Sequence, residues 1–150
     1  MNKEIYDPTR NKMILINKCS VQAVTSFPEM KIFHDVEYPA YAPENSVIAP
    51  LKHLVQGKKI VIVLGTWCGD SKLLLPRFIK LMDLIMVDEQ HIALICVDGN
   101  KKAENGLIDS LNITNVPTFI VYQGEKELGR IVEMPVISLE EDLLLILEKE

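Results

Sequence analysis

Residues 59–80 of this chain, KIVIVLGTWCGDSKLLLPRFIK, decide how the rest is organised. The apolar, β-branched run from Ile60 to Leu64 predicts a short strand that is covered on both faces. Gly65 and Thr66 interrupt this run, and from Lys72 onward the apolar residues recur with helical spacing. The segment therefore predicts a strand, a tight turn and a helix, with one cysteine at the junction.

That cysteine, Cys68, is expected at or near the first turn of the helix. Unpaired backbone N–H groups and the positive end of the helix dipole favour an anion at this place. They therefore favour the thiolate, which is the nucleophilic form of a cysteine. Lys72 adds positive charge one turn later and Asp70 adds negative charge, so the sequence leaves their net effect open. We expect Cys68 to be an accessible, reactive thiol.

The surroundings of Cys68 resemble the active-site region of thioredoxin-like proteins, in which Trp-Cys-x-x-Cys follows a central strand. Here the motif is Trp67-Cys68-Gly69-Asp70-Ser71, and Pro76 stands where the family has a helix-kinking proline. Val116-Pro117-Thr118 resembles the family's cis-proline loop. The resemblance covers roughly residues 47–150. It implies an α/β thioredoxin-like fold, in which helices flank a central mixed β-sheet.

The chain departs from the family pattern at the second motif position, where Ser71 replaces the resolving cysteine. A hydroxyl cannot form a disulfide, so the dithiol cycle of a thioredoxin is closed to this pair. The family's buried acid and buried lysine also correspond here to Ile62 and Leu94. The resemblance therefore implies monothiol thiol-disulfide exchange. The expected partner is a protein disulfide or a low-molecular-weight thiol substrate: Cys68 would attack the protein disulfide or a glutathione-type mixed disulfide, and an external thiol would then release Cys68.

The same resemblance assigns roles to the residues of the motif and of the proline loop. Catalytic roles are expected for Cys68 and Ser71, whose hydroxyl either hydrogen-bonds the thiolate or only packs beside it. The proline loop would have a cis peptide and offer backbone hydrogen bonds to an extended substrate. The residues expected to contact the substrate are Trp67, Gly69, Asp70, Val116 and Pro117.

Two alternatives remain open at this point. The chain is either a monothiol oxidoreductase or a non-catalytic thioredoxin-fold binding module or partner-trapping scaffold, which holds a partner without turnover, either as a long-lived mixed disulfide or without one. Separately, Cys19 would be a resolving cysteine if the fold brought it to Cys68. Cys96 lies inside an apolar run and is expected to be a buried structural residue, and His53 is expected at the surface.

Composition excludes several other classes of protein. A chain of 150 residues with 48% apolar and 25% charged residues predicts one globular domain, and a net charge of −5 argues against nucleic-acid binding. No apolar stretch is long enough to span a bilayer, and the first thirteen residues do not resemble a signal peptide, so a cytoplasmic location is predicted. Three cysteines and three histidines form neither a disulfide framework nor a metal-ligand spacing. No cofactor and no metal are expected, and the oligomeric state is not predicted.

The sequence predicts two parts of the chain. Residues 1–46 form an N-terminal extension packed on the core, and residues 47–150 form the thioredoxin-like domain. In the extension we predict a loosely tied terminus over 1–12, a strand over 13–17, a strand or loop over 20–27, a strand over 30–36 and an extended loop over 37–45. In the domain we predict helices over 45–56, 101–111 and 138–148, a strand over 91–97 and a hairpin formed by 118–123 and 126–132.

Overall fold

A computed structural model describes residues 1–149, which form one six-stranded mixed sheet and five α-helices. The strand order is β1-β2-β4-β3-β5-β6; β3 and β4 are parallel and every other neighbouring pair is antiparallel. The strands are β1 (Lys3–Asp7), β2 (Lys12–Cys19), β3 (Lys59–Leu64), β4 (Ile92–Cys96), β5 (Thr118–Gln123) and β6 (Lys126–Val132). The helices are α1 (Val21–Ser26), α2 (Pro28–Ala40), α3 (Ile48–Leu54), α4 (Gly69–Leu84) and α5 (Leu139–Glu148).

The central strand β3 is buried on both faces, as its unbroken apolar run predicts. Ile60, Ile62 and Leu64 contribute to a large cluster to which all five helices also contribute. Val61 and Val63 point the other way, into a smaller cluster completed by the irregular segment that precedes β5. The strand therefore carries the core on both sides and delivers the chain to the start of α4.

The N-terminus is not loosely tied, so that prediction is wrong. Lys3–Asp7 and Lys12–Cys19 form an antiparallel hairpin, and β2 pairs with β4 at the edge of the sheet. The strand predicted over 13–17 is confirmed within β2. The ladder hydrogen bonds with β4 fix the hairpin, although the sequence of residues 1–12 is polar.

The strand predicted over 30–36 and the loop predicted over 37–45 are also wrong, because α2 occupies Pro28–Ala40. The β-prone residues of this stretch are helical because the helix packs against α4. Glu37 binds Arg77 at 2.9 Å, and the Tyr38 carbonyl accepts a hydrogen bond of 2.8 Å from Lys80. Pro39 lies in the last turn, where the helix is about to end. Residues 20–27, predicted as strand or loop, form the short helix α1 instead.

The helix predicted over 101–111 does not form. The segment contains two separate 3₁₀ turns, Glu104–Gly106 and Asp109–Leu111. Asn105, Gly106 and Asn112 have φ angles of 56°, 67° and 55°, and left-handed residues cannot continue a right-handed helix.

The remaining elements in the second half of the chain follow the sequence. The hairpin and the last helix are confirmed, and the Ser138 hydroxyl caps α5 by accepting a hydrogen bond of 3.1 Å from the Glu141 amide. The helix predicted over 45–56 begins as a 3₁₀ turn, Asn45–Val47, before α3. Within residues 1–149 no helix is both long and apolar enough to cross a membrane.

Candidate active site

Cys68 is the N-cap residue of α4, directly after the turn that follows β3. Its backbone is extended, with φ −87° and ψ 127°. Its amide donates to the Gly65 carbonyl at 3.0 Å, and its carbonyl accepts from the Lys72 amide at 3.0 Å. The residue is half-buried, and these two hydrogen bonds fix its backbone.

The thiol faces the proline loop. Cys68 Sγ donates a hydrogen bond of 3.4 Å to the Val116 carbonyl, and the Val116–Pro117 peptide is cis. Thr118 Oγ1 donates to the Asn115 carbonyl at 2.6 Å and closes the loop. The Glu133 amide donates to the Pro117 carbonyl at 2.7 Å, which ties the segment after β6 to the same place. The structure thus brings together the cysteine and the loop that the sequence placed 48 residues apart.

Ser71 lies in the first turn of α4 and is completely buried. Its Oγ accepts a hydrogen bond of 3.2 Å from the Gly65 amide. Within residues 1–149, no hydrogen bond joins Ser71 to the sulfur of Cys68. The expected contact with the thiolate is therefore absent, and Ser71 instead fastens the end of β3 to α4. Gly69 is exposed and Asp70 is half-buried beside it.

Trp67 is half-buried and held in place by its indole N–H, which donates to the Val97 carbonyl at 3.0 Å. The ring lies against the backbone of Gly65, where a Cβ would be only 2.5 Å from Trp67 Cε2. Only glycine permits so close an approach of ring and backbone. On another side, the guanidinium carbon of Arg10 lies 3.9 Å from the centroid of the Trp67 ring.

Arg10 belongs to the turn between β1 and β2, which is anchored beside the site through Asp7. The Gly99 amide donates to Asp7 Oδ2 at 2.7 Å, and the Thr9 amide donates to Oδ1 at 2.9 Å. Burial opposes ionisation of Asp7, but these backbone hydrogen bonds outweigh it and hold the pKa of the carboxyl below its ordinary value. Sequence reasoning missed both residues. The turn composition of residues 7–11 carries no signal that relates it to Trp67.

The cation of Lys72 is not directed at the thiol. Lys72 Nζ forms an ion pair of 2.9 Å with Glu29 of α2, which also binds Lys12 Nζ at 3.1 Å. Burial opposes ionisation of Glu29, but the two lysines prevail and hold the pKa of its carboxyl below the ordinary value. The positive charge that the sequence suggested for Cys68 is therefore largely offset by Glu29.

Cys19 and Cys96 lie together and away from Cys68. Both are buried and belong to the cluster on the helical side of the sheet, whereas Cys68 packs against the smaller cluster on the other side. The hydrogen bond with Cys19, together with burial, raises the pKa of the Cys96 thiol. The structure thus does not bring Cys19 to Cys68 as a resolving partner. Among residues 1–149 no cluster of side chains is arranged to hold a metal ion.

The profile of the thioredoxin family matches residues 44–140. This chain belongs to the thioredoxin family. No sequence among curated proteins matches it. The match takes in the whole segment from β3 to β6, and it therefore covers both the cysteine turn and the proline loop described above.

Solved structures share the fold. A protein of unknown function from Pseudomonas aeruginosa is 17% identical, with 87% of this chain and 92% of that chain covered and a TM-score of 0.61. An HIV epitope scaffold is 19% identical, with 82% and 84% covered and a TM-score of 0.56. Oxidised thioredoxin O2 from Arabidopsis thaliana is 22% identical, with 65% and 80% covered and a TM-score of 0.43. The first two likenesses include the N-terminal part of the chain, and at such identities they concern the fold alone.

Proposed function

We propose that this thioredoxin-family protein is a monothiol thiol-disulfide oxidoreductase with Cys68 as its nucleophile. The observation that carries the proposal is the position of Cys68 as N-cap of α4, half-exposed and facing the Val116 carbonyl. The helix start favours negative charge on the sulfur. In this role Val116 and Pro117 bind an extended substrate, and Trp67, Gly69 and Asp70 form the surface that it crosses.

The reaction has two exchange steps. In the first, the Cys68 thiolate attacks one sulfur of a substrate disulfide; a bond forms between Cys68 and that sulfur, the substrate S–S bond breaks, and the other sulfur leaves as a thiolate. In the second, the thiolate of an external thiol, such as glutathione, attacks the substrate sulfur of the mixed disulfide. Cys68 leaves as a thiolate, and the external thiol and the substrate share the new disulfide. Ser71 has no sulfur and therefore forms no disulfide in either exchange.

The second candidate is a binding module that captures a partner and does not release it. It is favoured by apolar side chains that lie exposed after β6, next to the proline loop. Met134, Val136 and Ile137 are 51%, 93% and 62% exposed. The segment that carries them is held at Pro117 by the Glu133 amide. An apolar rim beside a nucleophilic sulfur suits a protein partner, and slow release of that partner would agree with the missing second cysteine.

The decisive experiment separates capture from turnover. The reduced protein is incubated with glutathione disulfide and with a glutathionylated peptide, and adducts are located by peptide mass spectrometry. Reduced glutathione is then added, and the release of free peptide is followed over many equivalents of substrate. The oxidoreductase proposal predicts an adduct on Cys68 and repeated turnover. The variant Cys68→Ser is expected to show neither.

The matched control is Cys19→Ala, which removes a buried thiol on the other side of the sheet. It is expected to form the same adduct and to turn over at the rate of the unaltered protein. An adduct that persists in excess glutathione favours the binding module. Absence of any adduct on Cys68, or modification confined to Cys19 and Cys96, contradicts the oxidoreductase proposal and any binding module that holds its partner through a mixed disulfide.

A further inference from the structure

The N-terminal hairpin places one cation on the active-site surface. Arg10 is exposed, and its guanidinium lies on the face of Trp67, the residue next to the nucleophile. Its side chain also runs along the backbone of Gly99, where a Cβ would be 2.9 Å from Arg10 Nε. Gly99 follows Val97, whose carbonyl holds the indole. The cation is therefore fixed in position by the elements that build the active site.

The charge of Arg10 is not used inside the protein. Among the ion pairs formed by residues 1–149, none involves Arg10. Asp7, whose carboxylate lies beside Gly99 as Arg10 does, accepts hydrogen bonds from two backbone amides and forms no ion pair with Arg10. A guanidinium stacked on an aromatic ring keeps its edge N–H groups available, and these groups match a carboxylate in bidentate geometry.

Arg10 is the cation that stacks on the Trp67 ring, and further charged residues belong to the turn after β4. Asp98 accepts hydrogen bonds from the amides of Asn100 and Lys102, so its carboxylate is directed into its own turn. Lys101 and Lys102 follow in that turn, and they too lack ion pairs within the part of the chain that the structure describes. Arg10, Lys101 and Lys102 thus form no ion pair among the described residues, although the carboxylates of Asp7 and Asp98 belong to the same two turns.

We infer that Arg10 is a specificity residue that selects disulfide substrates carrying a carboxylate close to the reacting sulfur. The inference rests on the proposed function, since the substrate is the disulfide that Cys68 attacks. Trp67 and Cys68 are adjacent, and an extended chain advances about 3.3 Å per residue. We therefore place the carboxylate within about two or three residues of the attacked sulfur, because Arg10 stacks on the residue next to the nucleophile. Both the carboxylates of glutathione and an acidic side chain in a peptide meet this requirement.

The first test compares rates for matched substrates. One pair is a glutathione mixed disulfide and its diethyl ester; the other is a cystine-linked peptide with glutamate near the sulfur and its glutamine counterpart. Arg10→Gln is expected to lower the rate of adduct formation about threefold to fivefold for the carboxylate member of a pair, the size expected of an exposed ion pair, and to leave the neutral member unchanged. Arg10→Lys should retain part of the preference. The pair that shows the larger effect identifies the source of the carboxylate.

The control is Lys126→Gln, which removes the same charge from an exposed position at the opposite end of β5 and β6. Lys126→Gln should change the rate of adduct formation neither for the carboxylate substrates nor for the neutral ones. If Arg10→Gln slows neutral and carboxylate substrates equally, Arg10 acts only by supporting Trp67 and the inference is wrong. It is also wrong if Arg10→Gln alters nothing.

A second measurement does not depend on reactivity. In a Cys68→Ser background, S-methylglutathione and its diethyl ester are titrated while the fluorescence of Trp67, the only tryptophan, is recorded. The acid is expected to bind more tightly than the ester, and Arg10→Gln should abolish the difference. If this holds while no disulfide reacts at Cys68, the proposed function fails and the carboxylate site stands. Equal binding of acid and ester before and after Arg10→Gln overturns the site.

Discussion

Two fully buried hydroxyls beside the nucleophile have opposite hydrogen-bonding states. Ser71 Oγ accepts a hydrogen bond from the Gly65 amide, whereas Thr66 Oγ1 has no partner in the structure of residues 1–149. Removing the first leaves a buried N–H group without an acceptor. Removing the second leaves nothing unsatisfied. The changes in the free energy of unfolding caused by Ser71→Ala and by Thr66→Val are therefore expected to differ in sign or in size.

The expected difference follows from the cost of an unpaired buried donor, which is about 1–3 kcal/mol. Ser71→Ala should lower the free energy of unfolding by this amount. With a urea slope of about 2 kcal/mol per molar, the unfolding midpoint falls by about 0.5–1.5 M. Thr66→Val keeps the shape of the side chain and removes an unpaired hydroxyl, so its midpoint should stay the same or rise.

The assay is urea unfolding followed by circular dichroism, with the alkylation rate of Cys68 measured on the same samples. Because Ser71 bonds Gly65 and not the sulfur, the alkylation rate in Ser71→Ala should equal that of the unaltered protein. The reasoning is refuted if Ser71→Ala is no less stable than Thr66→Val. A lower alkylation rate of Cys68 in a fully folded Ser71→Ala protein would instead indicate that Ser71 contacts the thiolate, which is one of the two alternatives that the sequence leaves open.

Three further predictions concern the surroundings of the site. The pKa of Glu29 is lower in the folded protein than its ordinary value of 4.5, so its ion pairs stabilise the fold at pH values above 4.5. This contribution is lost as the pH falls from 4.5 through the lowered pKa. The difference in free energy of unfolding between the unaltered protein and Glu29→Gln, measured with urea, should therefore vanish in acid. Gly65→Ala forces the indole of Trp67 out of its place, and its fluorescence emission should shift to the red; unchanged emission would contradict the close approach. Phe78→Ala removes a ring stacked 4.4 Å from an aromatic partner on β5 and should cost about 3–5 kcal/mol in thermal or urea unfolding, and a cost below 1 kcal/mol would contradict the packing described.

The part of the fold that the sequence predicts well is the part in which local pattern and burial agree. The apolar run before Gly65 and the helical spacing after Cys68 predict β3 and α4 because both elements are buried where they are apolar. The family resemblance adds the proline loop. These observations were sufficient to place Cys68 opposite Val116.

The errors arise where long-range contacts override local propensity. Ile32, Phe33 and Val36 favour a strand by composition, yet the packing of α2 on α4 makes them helical. Conversely, residues 101–111 have helical composition but contain Asn105 and Gly106 in left-handed conformations. Ser71 Oγ accepts a hydrogen bond from the Gly65 amide, and no local pattern decides between a packing role of this kind and a hydrogen bond to the thiolate. No local pattern relates Arg10 to Trp67, since only the pairing of β2 with β4 brings them together.

The hairpin at the beginning of the chain has a consequence for the order of assembly during synthesis. Residues 3–19 leave the ribosome before the other strands and can pair with each other at once, but β2 pairs with the rest of the sheet only when β4 has been made. The bond from Gly99 to Asp7 forms later still. Contacts between such distant parts of a chain form slowly, because the entropy cost of closing a long loop precedes the stabilisation that the contacts provide. The nucleophile on α4 is thus in the growing chain before Arg10 can dock beside it, and the hairpin that carries Arg10 joins the active site late although it is synthesised before α4.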